Sequence, residues 1–284
     1  MMKKIKLLLL LAFSSLYLMP LSAQDETALL TEKEKVDPST ATEKDTDTKT
    51  ETRPQEDMAE VLKQADFYRG GQLSGISWDL KVDNYVKGKL KNEITIKVEA
   101  SSFKVHQFAL ATFKAPRKYK GQKLLVRDNN MWFSKPGLRQ PVAISSRQRL
   151  SGTAANADIA SANYYNDYDI VEESEGELDG QPCWILELEA KNNLVSYPRV
   201  KYWISKTTQQ GLKTEFYGKS KKLIKTATYE YENVLEYKKV KYAFISRVNI
   251  FDRINKEDKT ILNVSNIKVD RFSNAKFQKN RLLD

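Results

Sequence analysis

The sequence has almost none of the residues on which most catalytic and metal centres depend. Its 284 residues include one Cys and one His, which excludes an internal disulfide and a zinc site built from several Cys and His ligands. Cys183 lies in the apolar run PCWILELE and is expected to be a small buried hydrophobe. His106 is accompanied by no GxSxG motif, so we predict a structural or exposed position for it. We therefore predict no catalytic residue, no metal and no cofactor.

Long apolar runs are absent beyond the first residues. Residues 1–23 place three lysines before an apolar run and end in small residues, an order typical of a secretory signal peptide, and we predict cleavage after Ala23. The fully apolar stretch is shorter than the ~20 residues needed to span a bilayer. Residue 24 is Gln, not the Cys that a bacterial lipoprotein signal requires. The sequence thus predicts an exported protein without a membrane anchor.

Aromatic residues and glycine are absent from residues 24–56, which hold ten acidic and five basic side chains. Such a segment cannot bury enough apolar surface to offset its ordering entropy, so it is predicted to be a disordered, acidic and Thr-rich tether. Residues 57–284 hold 39 basic and 27 acidic side chains, a net charge of +12 against +10 for the whole chain. This charge is typical of proteins that bind nucleic acid or anionic membranes. Export argues against nucleic acid and leaves an anionic membrane surface as the expected partner.

Residues 57–284 begin with one helix and continue mainly as strands. Asp57 and Glu60 form a variant of the capping box, and apolar residues then recur at helical spacing until Gly70. From Trp78 onward the period changes to two, as in EITIKVE, and short turn signals join about ten such runs. The connections are too short for βαβ crossovers. The pattern predicts a mainly β, α+β domain with an antiparallel sheet of about ten strands.

Two segments depart from this alternation. Residues 145–166 are rich in Ala, Ser and Asn, which favours short helical turns packed on the sheet or a mobile lid. Residues 172–179, EESEGELD, are predicted to form a charged hairpin turn. A turn separates these carboxylates, whereas glycosidic or calcium chemistry needs them to converge.

The central segment reads WFSKPGLRQPVAISSRQRLSGTAANADIASANYYNDYDIV, from Trp132 to residue 171. It resembles the outer-membrane lipoprotein-sorting family, a LolA-like group, through the pattern ISxRQRLxGxAxNxDIAxxxY. The resemblance continues through RVKYWIS and covers residues 57–284. It implies a strongly curved antiparallel sheet that forms an unclosed barrel covered by short helices. It also implies a carrier in the Gram-negative periplasm that binds the acyl chains of lipoproteins, or another lipid, in a hydrophobic cavity.

A curved sheet with an apolar inner face can shelter an acyl chain without covalent chemistry, because each buried CH₂ contributes about 0.8 kcal/mol. Arg147 and Arg149 are candidates for a lid latch, since Arg can bind strand carbonyls or a carboxylate such as Asp158. The candidate lipid-binding residues of the wall are Trp78, Leu80, Ile94, Ile96, Trp132, Trp184, Tyr202 and Phe216. Those of the helical cover are Val61, Leu62 and Ile159.

Two other functions remain open at this point. The same cavity could serve a lipid-sensing or accessory subunit of an inner-membrane exporter, and an inner-membrane transporter would then be the partner. A hydrolase would depend on His106 and the acidic run alone. Cross-linking to an inner-membrane protein would separate the first alternative from a carrier, and a His106→Ala variant would test the second.

Overall fold

The computed structural model describes residues 56–103, 106–160 and 163–283. The predicted signal peptide, its cleavage site and nearly all of the predicted tether lie outside these residues, as do the side chains of Arg149 and Ile159. Within the described ranges, none of the helices has the length and apolar character needed to cross a membrane.

The first helix forms where its cap and apolar spacing predict. It is α1, Met58–Phe67, and the side chain of Asp57 accepts a hydrogen bond from the amide of Ala59 at 2.9 Å. The buried face of α1 includes Val61 and Leu62, which join the main core. The other helices are α2, Asn156–Ala160, α3, Tyr164–Asp167, and two 3-10 helices, Asn274–Phe277 and Lys279–Leu283.

Strands make up most of the remaining described residues. In chain order, β1 to β17 are Ile76–Val86, Lys89–Phe103, His106–Ala115, Lys123–Arg127, Asn130–Ser134, Val142–Ile144, Arg149–Ser151, Ala154–Ala155, Tyr168–Leu178, Gln181–Ala190, Arg199–Ser205, Gly211–Tyr217, Leu223–Glu230, Asn233–Tyr237, Val240–Phe244, Arg247–Asp252 and Lys259–Val269.

Thirteen of these strands form one antiparallel sheet in the order β6-β5-β4-β3-β2-β1-β17-β16-β13-β12-β11-β10-β9. Most neighbours are joined by hairpins, whereas β1 pairs with the distant β17, which sets Leu80 opposite Val264. The two edges, β6 and β9, are different strands, so the sheet is not closed into a barrel. The predicted fold class is confirmed. The strand count was underestimated because strands as short as β6 show no alternation.

The two faces of the sheet carry separate apolar clusters. Consecutive strand residues point to opposite faces, and in β4 Leu124 and Val126 belong to the main cluster while Leu125 belongs to a smaller one. The smaller cluster packs the two C-terminal 3-10 helices against the outer face through Phe277 and Leu282. The main cluster lies on the inner face, beneath α1.

The described residues of the segment 145–166 form short helical turns, which are one of the two predicted alternatives, and also a two-stranded ladder of β7 and β8, which was not predicted. The turn of this ladder contains Gly152 at φ +57°, where a Cβ would lie 1.6 Å from Oδ1 of Asn84. The adjacent amide of Thr153 donates to Oγ1 of Thr260 at 3.0 Å. The glycine of the central motif therefore lets this segment approach β1 and β17 closely.

The acidic run is a strand for most of its length, so the prediction of a hairpin turn over residues 172–179 is wrong. Residues 172–178 belong to the edge strand β9, and the turn begins at Asp179 and Gly180, both at positive φ. The run has little hydrophobic alternation because β9 is exposed through residues 172–177. A row of carboxylates on an edge strand opposes pairing with another chain.

Candidate functional site

A cavity of about 100 Å³ lies on the inner face of the sheet. Its cover includes Ala157 of α2, Tyr164 of α3 and Tyr197 from the connection between β10 and β11. Its apolar wall comes from strands on both sides of β1, and it includes Trp78, Leu80, Val126, Met131, Phe216, Ala227, Ile250, Leu262 and Val264.

The volume of this inner cavity limits what it holds in the observed state. It is smaller than the ~150 Å³ engineered cavity that accommodates benzene. A long acyl chain therefore does not fit while the cover keeps this position. The contacts that hold the cover decide whether the cavity can enlarge.

Arg147 holds one part of the cover through backbone carbonyls. Its Nε donates to the carbonyl oxygen of Ser196 at 2.6 Å, and its Nη2 donates to that of Val195 at 3.1 Å and that of Asn193 at 3.4 Å. Val195 and Ser196 also line the inner cavity. The guanidinium fork is well suited to binding several carbonyls at once. Arg147 thus ties the central motif to the connection between β10 and β11.

Asp158 holds a second part of the cover through a buried ion pair with Lys225 of β13. The two side chains are 8% and 5% exposed, respectively. Asp158 also accepts hydrogen bonds from the amide of Ala155 at 2.7 Å and from the hydroxyl of Tyr197 at 3.1 Å. Lys225 Nζ lies 4.5 Å from the ring centroid of Tyr197 and 4.9 Å from that of Phe216. The ion pair therefore joins α2 to the sheet.

Among the described residues the carboxylate of Asp158 binds Lys225, and Arg147 binds carbonyls, which are one of the two kinds of partner that the sequence suggested for the arginines. Lys225 was missed because a lysine in a strand is usually on the solvent face. The spacing of Lys225 from Ala227 and Tyr229 indicates that its side chain is buried, since residues two and four apart in a strand share a face. Both of those neighbours are buried.

A second cavity, of about 240 Å³, adjoins the first. Both are lined by Ser196 and Tyr197, and the ion pair contributes Asp158 to the first and Lys225 to the second. The ion pair and Tyr197 consequently stand at the boundary between two spaces. Release of this boundary would connect them.

Arg69 follows α1 and lines the inner cavity. Its Nη1 donates to the hydroxyl of Tyr202 at 3.3 Å, and its Cζ lies 4.7 Å from the ring centroid of Tyr164 and 5.0 Å from that of Tyr229. Burial acts to lower the pKa of Arg69, but the three tyrosines and Asp66 outweigh it and hold the pKa well above its usual value. Arg69 is therefore a permanent cation in an aromatic cage.

Two carboxyl groups near this cage have raised pKa values. Burial raises the pKa of Asp66 to about 7, although the charge of Arg69 and the amide of Tyr165, which donates at 2.8 Å, act in the opposite direction. Burial also raises the pKa of Asp167 to about 6, against a hydrogen bond donated by Asn129 at 3.3 Å. Both acids favour the neutral form more than an exposed Asp does.

The structure brings only part of the predicted wall together at the inner cavity. Trp78, Leu80 and Phe216 line it, and Tyr202 bonds Arg69. Five other candidates are buried in the main cluster but are not among the cavity-lining residues: Ile94, Ile96, Trp184, Val61 and Leu62.

Trp132 does not belong to the wall. In β5 it is Met131 that joins the main cluster and lines the cavity, while Trp132 packs against the cluster on the outer face. Adjacent strand residues point to opposite faces, so only one of the two can face the cavity. The sequence does not distinguish Met131 from Trp132 as a wall residue, because apolar side chains pack against both faces of β5.

His106 and Cys183 have the positions that their sequence contexts predict. His106 is 56% exposed, with Nδ1 3.2 Å from Oδ2 of Asp128, and Cys183 is buried. Among the described residues, no group of three or more His, Cys, Asp or Glu side chains could hold a metal ion.

Comparison with solved structures identifies the fold. A LolA superfamily protein from Nitrosomonas europaea is 24% identical, with a TM-score of 0.69 over 78% of this chain and 97% of that chain. A DUF1329 family protein from Desulfovibrio piger is 21% identical, with a TM-score of 0.67 over 79% and 97% of the two chains. A putative outer membrane lipoprotein-sorting protein domain from Vibrio parahaemolyticus is 20% identical, with a TM-score of 0.65 over 80% and 98%.

No curated protein matches the chain. A family model described as "Uncharacterized protein" matches residues 106–284, which include the central motif and eleven of the thirteen strands of the sheet, all except β1 and β2. The chain therefore belongs to the family of that model, and it shares the fold of the LolA superfamily protein from Nitrosomonas europaea.

Proposed function

We propose that this protein is a non-enzymatic periplasmic carrier that shelters the acyl chains of lipoproteins, or another lipid, and acts in outer-membrane lipoprotein sorting. The observation that carries the proposal is an apolar inner cavity whose cover is held by a few polar contacts. The LolA fold supports it, as does the lipoprotein-sorting description of the Vibrio parahaemolyticus neighbour. The predicted signal peptide supports a periplasmic location.

Loading requires the cover to move, because the observed volume is too small for a long chain. Loss of one partner of a buried ion pair costs about 3–5 kcal/mol. We take this value as the upper limit of the free energy needed to separate Asp158 from Lys225 when the cover moves. Burial of about five methylenes at ~0.8 kcal/mol each offsets that cost. An acyl chain longer than this therefore has enough apolar surface to hold the cavity open.

The basic charge of the domain suits work beside membranes that contain anionic lipid. The acidic tether and the signal peptide are part of this proposal, with cleavage after Ala23 and a domain that begins near residue 57. No cofactor is required, since binding and release of lipid need no covalent step.

The test is extraction of a synthetic triacylated lipopeptide from vesicles by the mature protein. Ala227 lines the cavity and is 2% exposed, so Ala227→Phe fills the space that an acyl chain would use. The matched control is Ala143→Phe at an exposed position of β6. We expect wild type and the control to extract the lipopeptide, and Ala227→Phe to lose about tenfold or more in affinity.

Failure of the wild type to extract any acylated species would contradict the carrier function. Cross-linking to an inner-membrane protein, with lipoprotein sorting unchanged when the gene is deleted, would instead favour an accessory subunit of an exporter. Circular dichroism of each variant checks that lost extraction does not reflect an unfolded protein.

A further inference from the structure

Arg69 makes the inner cavity different from an ordinary apolar pocket. An arginine has five N–H donors, and among the described residues its guanidinium makes one hydrogen bond, to Tyr202. In the same part of the chain, no carboxylate oxygen lies within 4.0 Å of it. Arg69 is half-buried, and a charge that is partly withdrawn from water is costly unless a partner compensates it. The aromatic cage does so in part, and it leaves a cation that lines the cavity with one hydrogen bond to a described residue.

We propose that the inner cavity selects amphiphiles with an anionic headgroup, whose carboxylate or phosphate binds Arg69 while the acyl chain lies on the wall that contains Trp78 and Leu80. This inference rests on the proposed carrier function and adds the chemistry of the cargo's head to it. Arg69, Trp78 and Leu80 line one continuous cavity, so a single molecule can contact the cation and the wall together.

The guanidinium is the cation best matched to such a headgroup, because its planar fork binds carboxylate or phosphate oxygens in pairs. The rings of Tyr164 and Tyr229 flank it, and exclusion of water strengthens the attraction between opposite charges. The phenol of Tyr202 fits beside Arg69 because residue 211 is Gly, where a Cβ would lie 1.7 Å from that hydroxyl oxygen. The three tyrosines thus fix the position of the Arg69 guanidinium.

The acids that border the cavity do not cancel this preference. Asp158 is paired with Lys225, and the side chain of Asp128 is 48% exposed, so solvent screens its charge. Asp66 and Asp167 have raised pKa values, so near neutral pH they carry less negative charge than exposed carboxylates would. Arg69 keeps its full charge under the same conditions. The net field at the cage therefore favours an anion.

The test compares probes that share one chain and differ only in the head. Binding of hexadecanoic acid, hexadecyl phosphate and hexadecanol to the full mature protein is measured by calorimetry near neutral pH. We expect the acid, the phosphate or both to bind about tenfold or more tightly than the alcohol, as one charge-assisted pair allows. Acetate and inorganic phosphate are added as competitors, and little competition shows that the lipid supplies the anion.

Variants then assign the preference to Arg69. Arg69→Met keeps the length of the side chain and removes the charge, so the preference for the anionic probes is lost while hexadecanol binds within about twofold of wild type. Arg69→Lys keeps the charge without the fork and retains part of the preference. Arg127→Met, at an exposed position of β4, is the matched control and leaves the preference unchanged.

Three outcomes overturn the inference: equal affinity of the wild type for all three probes, equal loss of every probe in Arg69→Met, or full competition by the short anions. In the first two cases binding of hexadecanol still supports a lipid carrier. If no probe and no lipopeptide binds the wild type, the carrier function itself fails. The comparison of probes on wild type needs no variant, so an unfolded Arg69→Met protein does not block the test.

Discussion

Two cationic side chains lie against aromatic rings in this protein, a buried lysine and a half-buried arginine, and their partners differ. Lys225 forms an ion pair with Asp158 and lies above Tyr197, whereas Arg69 has an aromatic cage and no carboxylate in contact among the described residues. A charge that the chain itself compensates stabilises the closed cover. A charge that it leaves with free donors is available to a ligand. Lys225 is therefore assigned to the structure of the cover, and Arg69 is the candidate group for recognition of a ligand.

The largest expected effect comes from breaking the compensated pair. Asp158→Asn removes the carboxylate that faces Lys225 and should lower the free energy of unfolding by about 3–5 kcal/mol, measured by urea denaturation. The double variant Asp158→Asn with Lys225→Met should recover part of the loss, since it removes the buried charge as well. Glu60→Gln breaks an exposed pair with Lys63 and should cost less than about 1 kcal/mol.

The next effect concerns the acid beside Arg69. Because the pKa of Asp66 is raised to about 7 in the folded protein, the folded state holds a proton that the unfolded state releases above pH ~4. This contribution to stability is full below that pH and is lost as pH rises through about 7. The Asp66→Asn variant lacks this pH-dependent contribution to stability.

Stability measured at pH 5 and pH 8 checks this expectation. Wild type should lose about 2–3 kcal/mol more than Asp66→Asn over that range. The exposed Asp169 is the control, and Asp169→Asn should follow the wild-type curve. Parallel curves for wild type and Asp66→Asn would show that Asp66 is ionised in the folded protein at pH 5.

A smaller effect is expected at the second tie of the cover. Arg147→Met removes the hydrogen bonds to the carbonyls of Val195 and Ser196 and should lower the free energy of unfolding by about 2 kcal/mol. Hydrogen exchange should increase at residues 193–197 more than in the strands of the sheet. An equal increase in hydrogen exchange throughout the protein would mean that Arg147 does not hold the cover locally.

The smallest effect on stability is expected at Arg69 itself. Arg69→Met exchanges a half-buried cation without a contacting carboxylate for an apolar side chain, so the free energy of unfolding should change by about 1 kcal/mol or less. Its large effect should be on the binding of anionic lipid. A loss of stability as large as that of Asp158→Asn would mean that the chain compensates both cations equally.

The fold could be predicted from local patterns and from the central motif. Ile94 and Ile96 alternate with polar residues in β2 and are buried as that pattern indicates, and the cap at Asp57 begins α1. These features depend on neighbours in sequence or on strand period alone. The resemblance added the curvature of the sheet and the cover, which no local pattern contains.

The cations could not be predicted in this way because their environments are long-range. Arg69 meets Tyr202, 133 residues later, and Lys225 meets Asp158, 67 residues earlier. Trp132 was placed in the wall because its sequence does not reveal which face the C-terminal 3-10 helices cover. Only the register of the sheet determines which side of each strand faces the cavity.

Native mass spectrometry of the mature protein purified from its exported compartment tests whether the protein carries an acylated lipid. A lipid carrier of the proposed kind retains an acylated lipid in wild type and in Ala143→Phe, loses it in Ala227→Phe, and has an acidic headgroup on the retained species. Wild-type protein that is purified free of lipid, and that takes up no acylated species from vesicles, would contradict the carrier function.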